Sequence, residues 1–153
     1  MKAEFINPFL SASTEILMQV CNTTIQKKPL FIKQGMTKLK NVTISIGIFG
    51  DVQGNLILNL DKKTALDIAS KMMGGYPVSE LDEITTSAVS ELGNMIAGHS
   101  GMYFSNENKK IDITPPTVTI NSDISKINYM YQAICVPLLF DNGNEIEIDI
   151  SIL

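Results

Sequence analysis

The sequence has no arginine and no tryptophan, and its 153 residues include only one histidine and two cysteines. Arginine carries the planar guanidinium group that best matches phosphates and base edges, so its absence counts against nucleic-acid recognition. The formal net charge of −4 points the same way, because nucleic-acid-binding proteins need a basic surface. We therefore expect the partner to be a protein or a small molecule.

The scarcity of histidine and cysteine also disfavours metal and disulfide sites. Cys21 and Cys135 each lie in an apolar, periodic segment, and neither belongs to a C-x-x-C pair. One histidine and two separated cysteines are too few for a clustered metal site. We expect two buried, reduced thiols, and no metal or cofactor of the protein's own.

Long hydrophobic runs are missing as well. No uninterrupted apolar stretch approaches the roughly 20 residues that span a bilayer, and residues 1–7 are polar and charged, unlike a secretion signal. The apolar fraction of 44% and the charged fraction of 18% are those of an ordinary globular protein. The sequence predicts a cytoplasmic protein without membrane association.

Three helices are predicted from hydrophobic periodicity and capping residues. The first begins at Asn7–Pro8, where asparagine can cap the helix and proline suits its first position. The second is capped by Asp61 and ends at Met73 before two glycines. The third and longest covers residues 82–104.

Alternating apolar residues predict strands before, between and after these helices. The predicted strands are 29–35, 42–48, 56–60, 118–120, 129–140 and 145–153. Residues 141–143, with the sequence Asp-Asn-Gly, are a typical hairpin turn between the last two strands. Helices and paired strands in this order predict an α+β fold of two layers, with helices packed on a largely antiparallel sheet.

The helix 82–104 has two unlike sides when its residues are placed at intervals of 100°. The side expected to face the core carries Ala88, Leu92, Met95, Ile96, His99 and Tyr103. The other side carries Ser87, Glu91, Asn94, Gly98 and Gly101 within about 80°, flanked by Ser90, Gly93, Ala97 and Ser100. A solvated helix face normally carries lysine and glutamate pairs. One acid and one amide on a bare surface indicate a site that another molecule approaches.

The glycines in this helix admit two interpretations. A glycine inside a helix costs roughly 1 kcal/mol relative to alanine, so Gly93, Gly98 and Gly101 suggest that something packs closely against the helix. Pattern alone does not distinguish a partner molecule from a crossing helix of the same chain. A crossing helix does not explain why Glu91 and Asn94 lie one turn apart among the glycines.

Two motifs occur in a fixed order along the second half of the chain. Ser87-x-x-x-Glu91-x-x-Asn94 is followed about twenty residues later by Pro115-Pro116. This set resembles the active-site signature of the CheC/CheX/FliY family of chemotaxis phosphatases. Residues 87–95 and 111–118, with the Asn-Pro-Phe segment 7–9 and the turn 50–54, are similar to CheX in particular. The resemblance spans nearly the whole chain and implies a single CheX-like domain over residues 1–153.

The resemblance implies a phosphatase that removes the phosphoryl group from the aspartyl phosphate of a CheY-like response regulator. It implies that Asn94 orients the attacking water and that Glu91 contacts a lysine of the regulator. Ser87, Ser90 and Gly98 would belong to the partner-binding surface. An acyl phosphate is already activated, so such a site needs chiefly positioning and charge stabilisation.

The resemblance also bears on cofactor and assembly. Mg²⁺ is expected on the partner regulator. CheX-like proteins are expected to form homodimers by joining sheet edges, and strand 129–140 or strand 145–153 could offer that edge.

A second E-x-x-N pair, Glu4 and Asn7, lies ahead of the proline that is predicted to start the first helix. The pair is therefore not expected to share a helical face or to form a second site. His99 is expected to be a hydrogen-bonded core residue rather than a general base.

The main alternative is a non-catalytic module that binds a response regulator or the flagellar switch. Such a module would not need a water-orienting amide at Asn94. An unrelated hydrolase with paired carboxylates is disfavoured, because Glu91 has no second acid on its face.

Overall fold

Helices cover one face of an antiparallel sheet in the computed structural model, which describes residues 3–121 and 126–153. The helices are α1 (Ala3–Cys21), α2 (Lys62–Met72) and α3 (Glu83–Asn106). The strands are β1 (Ile25–Lys27), β2 (Phe31–Lys38), β3 (Val42–Gly50), β4 (Gly54–Leu60), β5 (Ile111–Ile113), β6 (Thr117–Ile120), β7 (Lys126–Phe140) and β8 (Glu145–Ile152). The predicted α+β fold of two layers is confirmed. In the described part of the chain, no helix is long and apolar enough to cross a membrane.

The sheet has the strand order β1-β7-β8-β4-β3-β5, with β2 also beside β7 and β6 also beside β3. The pairings are antiparallel. Over residues 134–139, β7 has β8 on one side and β1 or β2 on the other, and β8 lies between β4 and β7. Their backbone groups are thus already paired on both sides there. The expectation that one of these two strands offers the sheet edge is wrong for that length, whereas residues 126–133 of β7 extend beyond the pairing with β8 and have β2 as their one partner strand in the described chain. The outer strands are β1 and β2 on one side of the sheet, and β5 and β6 on the other.

The main core lies between the helices and the sheet. Phe9 of α1 and Phe104 of α3 are fully buried, and their rings pack edge to face with centroids 5.3 Å apart. Beneath them, alternate residues of the central strands are fully buried, among them Ile44, Ile46, Leu56, Leu58, Ile148 and Ile150. This alternation is the pattern from which the strands were predicted.

Capping residues set the starts of α2 and α3, and the cap of α2 is the predicted Asp61. The Asp61 carboxylate accepts a hydrogen bond from the Thr64 amide at 2.8 Å, and the Asp82 carboxylate accepts one from the Thr85 amide at 2.9 Å. Each satisfies an amide that has no partner within its own helix. Because Asp82 caps α3, the site residues of that helix follow at a defined distance from its start.

The first helix, in contrast, begins earlier than predicted. It starts at Ala3 and contains Pro8, so Asn7 is not its cap. Proline at this position removes the hydrogen bond to the Glu4 carbonyl. The neighbouring Ile6 and Phe9 are buried, as is Pro8 itself. Burial of these side chains offsets the lost bond, an effect of tertiary packing that local sequence does not reveal.

The sheet face away from the helices carries a buried polar cluster, which we call the Lys33 cluster. The Lys33 ammonium forms ion pairs with Glu147 and, at 3.2 Å, with Asp149. The same Asp149 oxygen accepts hydrogen bonds from the Asn59 amide at 2.8 Å and from the Tyr129 hydroxyl at 2.6 Å. Side-chain exposure is only 11% for Lys33 and 1% for Asp149. This cluster joins the edge strand β2 to the middle of the sheet.

Charge and burial act against each other in the Lys33 cluster. Burial raises the pKa of the Glu147 carboxyl, and the neighbouring Asp149 charge raises it further. Burial alone would lower the pKa of Lys33, but the hydrogen bond to Glu147 and the charge of Asp149 raise it above its ordinary value. The lysine therefore stays charged and compensates for carboxylates that would otherwise be unfavourable in the interior.

Both cysteines are buried, as predicted, and they are not joined in a disulfide. Burial raises the pKa of Cys21 to about 11, and it also raises the pKa of Cys135. Thiols in this state are poor nucleophiles. The Cys135 sulfur lies within 4.8 Å of carboxylate oxygens of Glu147 and Asp149, where Lys33 already supplies the positive charge.

Candidate functional site on helix α3

The buried side of α3 differs from the side predicted by periodicity. Its buried residues are Thr85, Val89, Leu92, Gly93, Ile96, Ala97, Ser100 and Phe104. This side is rotated by roughly 80° from the predicted one. Gly93, Ala97 and Ser100, expected beside the bare surface, pack inward because small side chains let the helix approach the sheet closely. Ala88, Met95, His99 and Tyr103 are only half-buried.

The opposite side forms the exposed strip of α3, which contains Ser87, Glu91, Asn94 and Gly98. All four are exposed, and Ser90 beside them is half-buried. The fold thus brings together, on one open surface, the residues that the motif indicated. Among residues 3–121 and 126–153, no side chain forms a hydrogen bond or an ion pair with Glu91 or Asn94. Both polar groups are available to another molecule.

The glycines of α3 have different explanations in the structure. A Cβ atom on Gly93 would lie 2.8 Å from Ile44 Cγ2 and 3.2 Å from Ile46 Cδ1. Gly93 is therefore required by the sheet, and not by a crossing helix. On Gly98 a Cβ atom would meet nothing within 4 Å. Packing within the described chain does not explain Gly98, and its place on the strip leaves room for a partner.

We expect alanine to have opposite effects at these two glycines. Gly93→Ala should lower the free energy of unfolding by about 1–3 kcal/mol, because the added methyl group overpacks the helix–sheet contact. Gly98→Ala should raise it by up to about 1 kcal/mol, because alanine favours the helix and meets no obstacle. Urea unfolding of both variants measures the difference. Equal stability of Gly93→Ala and wild type would show that the sheet does not require glycine there.

Asn94 lies on the side of the strip that faces the β5–β6 edge. Gly101 lies within about 20° of Asn94 around the helix, and a Cβ atom on Gly101 would be 3.8 Å from Ile111 of β5. The segment between β5 and β6 holds Pro115 and Pro116, whose nitrogens cannot donate hydrogen bonds. It is fixed instead by Thr114.

Thr114 holds this edge segment through reciprocal hydrogen bonds with Gly47 of β3. The Thr114 hydroxyl oxygen accepts from the Gly47 amide at 2.8 Å, and the Thr114 amide donates to the Gly47 carbonyl at 2.9 Å. A side chain at Gly47 would collide with the threonine, whose Cγ2 lies 2.9 Å from the Cβ position. The Pro-Pro motif is thus held rigidly at the sheet edge that borders α3.

His99 links α3 to α1. Its Nε2 lies 2.7 Å from an Oε atom of Glu15, whose other oxygen accepts a hydrogen bond from the Tyr103 hydroxyl. Hydrogen bonds from Tyr103 and His99 lower the pKa of Glu15. The prediction of a hydrogen-bonded histidine is confirmed, whereas its core position is wrong, since 26% of the side chain is exposed. It lies about 140° around the helix from Asn94, which argues against a role as general base.

Glu4 and Asn7 do share a helical face, contrary to expectation. Both are exposed and lie one turn apart on α1, because this helix begins at Ala3 rather than at Asn7. The argument that excluded a second site by the helix start is therefore wrong. The pair still differs from Glu91 and Asn94 in its neighbours, since Phe5 beside it is half-buried and Pro8 follows Asn7 within the helix.

The exposed strip also contains two large apolar residues that the motif did not mark. Ile84 and Met102 are each 62% exposed. They lie 18 residues apart, which is five helical turns, so both fall within about 20° of Glu91 around the helix. A helical wheel that marked exposed apolar residues as well as polar ones would have found them.

Comparison with known proteins identifies relatives of this chain. The family model "Chemotaxis phosphatase CheX" matches residues 42–139. The CheY-P phosphatase CheX of Thermotoga maritima is 33% identical over 153 residues, covering 99% of this chain and 97% of that protein. The CheX of Borrelia burgdorferi, solved as a CheX–CheY–BeF₃–Mg²⁺ complex, is 28% identical with a TM-score of 0.82 and 96% of each chain covered. A CheC-like superfamily protein from Shewanella is 26% identical with a TM-score of 0.84, covering 100% of this chain and 99% of that one.

Proposed function

The chain belongs to the CheX family of chemotaxis phosphatases, as its motifs predicted, and we propose that it hydrolyses the aspartyl phosphate of a CheY-like response regulator. The observation that carries this proposal is the exposed strip of α3. Glu91 and Asn94 lie there one turn apart on a surface open to a partner, and Glu83, about two turns before Glu91, is the other exposed acid of α3. Relatives of this chain include a CheY-P phosphatase and a protein solved in complex with CheY.

Asn94 is the residue we propose for the chemical step. A carboxamide both donates and accepts hydrogen bonds but cannot act as a base, so its contribution is to orient a water in line with the phosphorus. The side chain is exposed and lies on a rigid helix. It can therefore enter the regulator's phosphorylation pocket without rearrangement of its own backbone, as positional catalysis requires.

Glu91 serves recognition in this proposal. It is exposed and lies one turn from Asn94, whereas Glu83 lies about three turns from Asn94, so Glu91 can pair with a lysine of the regulator and set the register of the helix on its partner. Ser87, Ser90 and Gly98 surround Glu91 with small side chains that do not project from the helix. Small side chains at these positions let the helix backbone come close to the partner's pocket.

Mg²⁺ is proposed to be held by the regulator. Hard divalent cations require several oxygen ligands, commonly carboxylates. Near Asn94 the helix contributes a single carboxylate, that of Glu91, since Glu83 lies eight residues earlier, and we assign Glu91 to the regulator's lysine. The metal and the phosphoryl group would thus be brought by the regulator, while this chain contributes the amide and the surface that positions it.

The direct test measures the lifetime of a phosphorylated CheY-like regulator with and without the protein, at constant Mg²⁺. We expect catalytic amounts of the protein to shorten the lifetime. Binding to the phosphorylated regulator without any shortening would instead establish the alternative, a non-catalytic binding module on the same fold.

Removing the charge of Glu91 should weaken recognition more than turnover. For Glu91→Gln we expect about a 10-fold higher KM for the phosphorylated regulator, equivalent to ~1.4 kcal/mol, with a smaller change in kcat. The salt dependence of KM should also weaken, because one attractive charge is lost. Glu107→Gln is the matched control, an exposed acid just beyond α3 and on another side of the helix axis. An unchanged KM in Glu91→Gln would remove Glu91 from the interface.

The homodimer implied by the family stays a prediction. If it forms by joining sheet edges, β2 is the strand we propose, because its outer side is unpaired within the described chain and its Ile32 and Met36 are exposed.

A further inference from the structure

Ile84 and Met102 stand at the two ends of the exposed strip of α3. An apolar side chain that is open to water on a helix face gains free energy when a partner covers it. Each is 62% exposed. The residues near the line between them are Ala88, Glu91, Met95 and Gly98, and the one large apolar residue among these, Met95, is half-buried. Ile84 and Met102 are therefore the large apolar side chains on this line that stay exposed.

The distance between these residues matches one interface. Eighteen residues of α-helix span about 27 Å. A specific interface of ordinary size covers about 800 Å² on each partner, a patch roughly 30 Å across. A single globular partner seated over Glu91 and Asn94 can therefore touch both ends of the strip at once.

We propose that Ile84 and Met102 are apolar anchors for the phosphorylated response regulator, on either side of Glu91 and Asn94. This inference rests on the proposed function and extends it. It assigns binding energy to two residues outside the Glu-x-x-Asn motif. Apolar side chains at the ends would bind the regulator, while Glu91 and Asn94 between them act at its phosphorylation site.

A crevice at the start of α3 is further evidence that Ile84 contacts a partner. It has a volume of about 180 Å³, and Ile84 forms part of its wall together with Met73, Tyr76, Pro77 and Val78. Tyr76 is itself 71% exposed. An apolar side chain of the partner that entered this crevice would contact Ile84 directly, and burial of this kind is typical of residues that dominate interface energetics.

A second copy of this chain is a poorer occupant of the strip. Two strips related by a two-fold axis would bring the two Glu91 carboxylates close together, since Glu91 lies near the middle of the strip. The strip offers no lysine to compensate for that repulsion. A regulator with a lysine near its phosphorylation site relieves the charge of Glu91, so the strip fits such a partner better.

The test uses Ile84→Ala and Met102→Ala in the full chain, with KM and kcat measured for the phosphorylated regulator. Each variant should raise KM about 10-fold and leave kcat within about 2-fold, because contacts made equally before and during the chemical step affect binding alone. The matched control is Met130→Ala. Met130 is 77% exposed on β7, and α3 packs against β3, β5 and β6 rather than against this strand. The KM of this variant should equal that of wild type.

Failure of this inference is distinguishable from failure of the proposed function. If wild type accelerates dephosphorylation and Ile84→Ala and Met102→Ala keep the wild-type KM, the anchors are wrong and the phosphatase stands. If wild type has no effect on the regulator, the proposed function itself is wrong. Binding of wild type and both variants to the regulator by titration calorimetry then decides the anchors separately, since equal affinities would overturn them. Equal melting temperatures of wild type and variants show that the changes are confined to the surface.

Discussion

Replacing Asn94 with alanine should reduce the maximal rate of regulator dephosphorylation about 100-fold or more. Loss of a single positioned hydrogen-bonding group in an enzyme site costs on the order of 10²–10³ in kcat. Asn94 is exposed, so the substitution leaves no cavity and removes no internal hydrogen bond among the described residues. Single-turnover decay of the phosphorylated regulator at saturating protein measures the effect without interference from binding.

The chain offers a matched control for this variant. Asn7 is an exposed asparagine that follows a glutamate by three residues on a helix, as Asn94 does. Asn7→Ala should leave the rate unchanged, because no second site is expected on α1. Wild-type activity in Asn94→Ala would contradict the proposed mechanism. If instead Asn7→Ala lost a substantial share of activity, α1 would carry a second site.

The largest loss of stability is expected from Lys33→Ala. The substitution leaves Glu147 and Asp149 buried without their cation, and breaking a buried ion pair by removing one partner costs about 3–5 kcal/mol. Chemical unfolding at pH 7 should show this loss. Lys28→Ala is the control, because Lys28 pairs with Glu145 at 2.6 Å while 47% of its side chain is exposed. Exposed ion pairs contribute about 0–1 kcal/mol.

The cost of Lys33→Ala should also depend on pH. The pKa of Glu147 is already raised by burial and by Asp149, and loss of the lysine raises it further. A carboxyl group whose pKa is higher in the folded state stabilises the fold most below its unfolded pKa, and this contribution is lost as pH rises through the folded pKa. The difference between Lys33→Ala and wild type should therefore shrink from pH 7 to pH 4. A difference that is the same at both pH values would mean that the carboxylates do not carry the effect.

Features determined by local sequence were predictable from the chain alone. The starts of α2 and α3 depend on Asp61 and Asp82, which bond to amides three residues away. The exposure of Glu91 and Asn94 follows from their separation from the apolar side of one helix. The central strands follow from alternation of isoleucine and leucine.

Features determined by tertiary contacts were not predictable from the sequence alone. The first helix extends past Pro8 because Ile6 and Phe9 find a buried environment that no local rule contains. The orientation of α3 was misjudged because Gly93 packs against Ile44, whereas glycine has no hydrophobicity by which to recognise a buried face.

The far side of the sheet was the least predictable. Alternation along β8 places Glu147 and Asp149 on the face opposite its isoleucines, and both are nevertheless buried. Their partner Lys33 lies more than a hundred residues earlier in the sequence. Only the pairing of β2 with β7 brings it there.

That pairing also bears on how the protein is made. The residues of β2 find their partners among residues 126–135, almost a hundred positions later. A ribosome that adds about 5–20 residues per second needs roughly 5–20 s to supply them. Until then the apolar side chains of Phe31 and Ile32, with Lys33, have no sheet to join. Nascent chains are therefore most vulnerable to association through this segment, and the last third of the sequence must emerge before the first third can complete its fold.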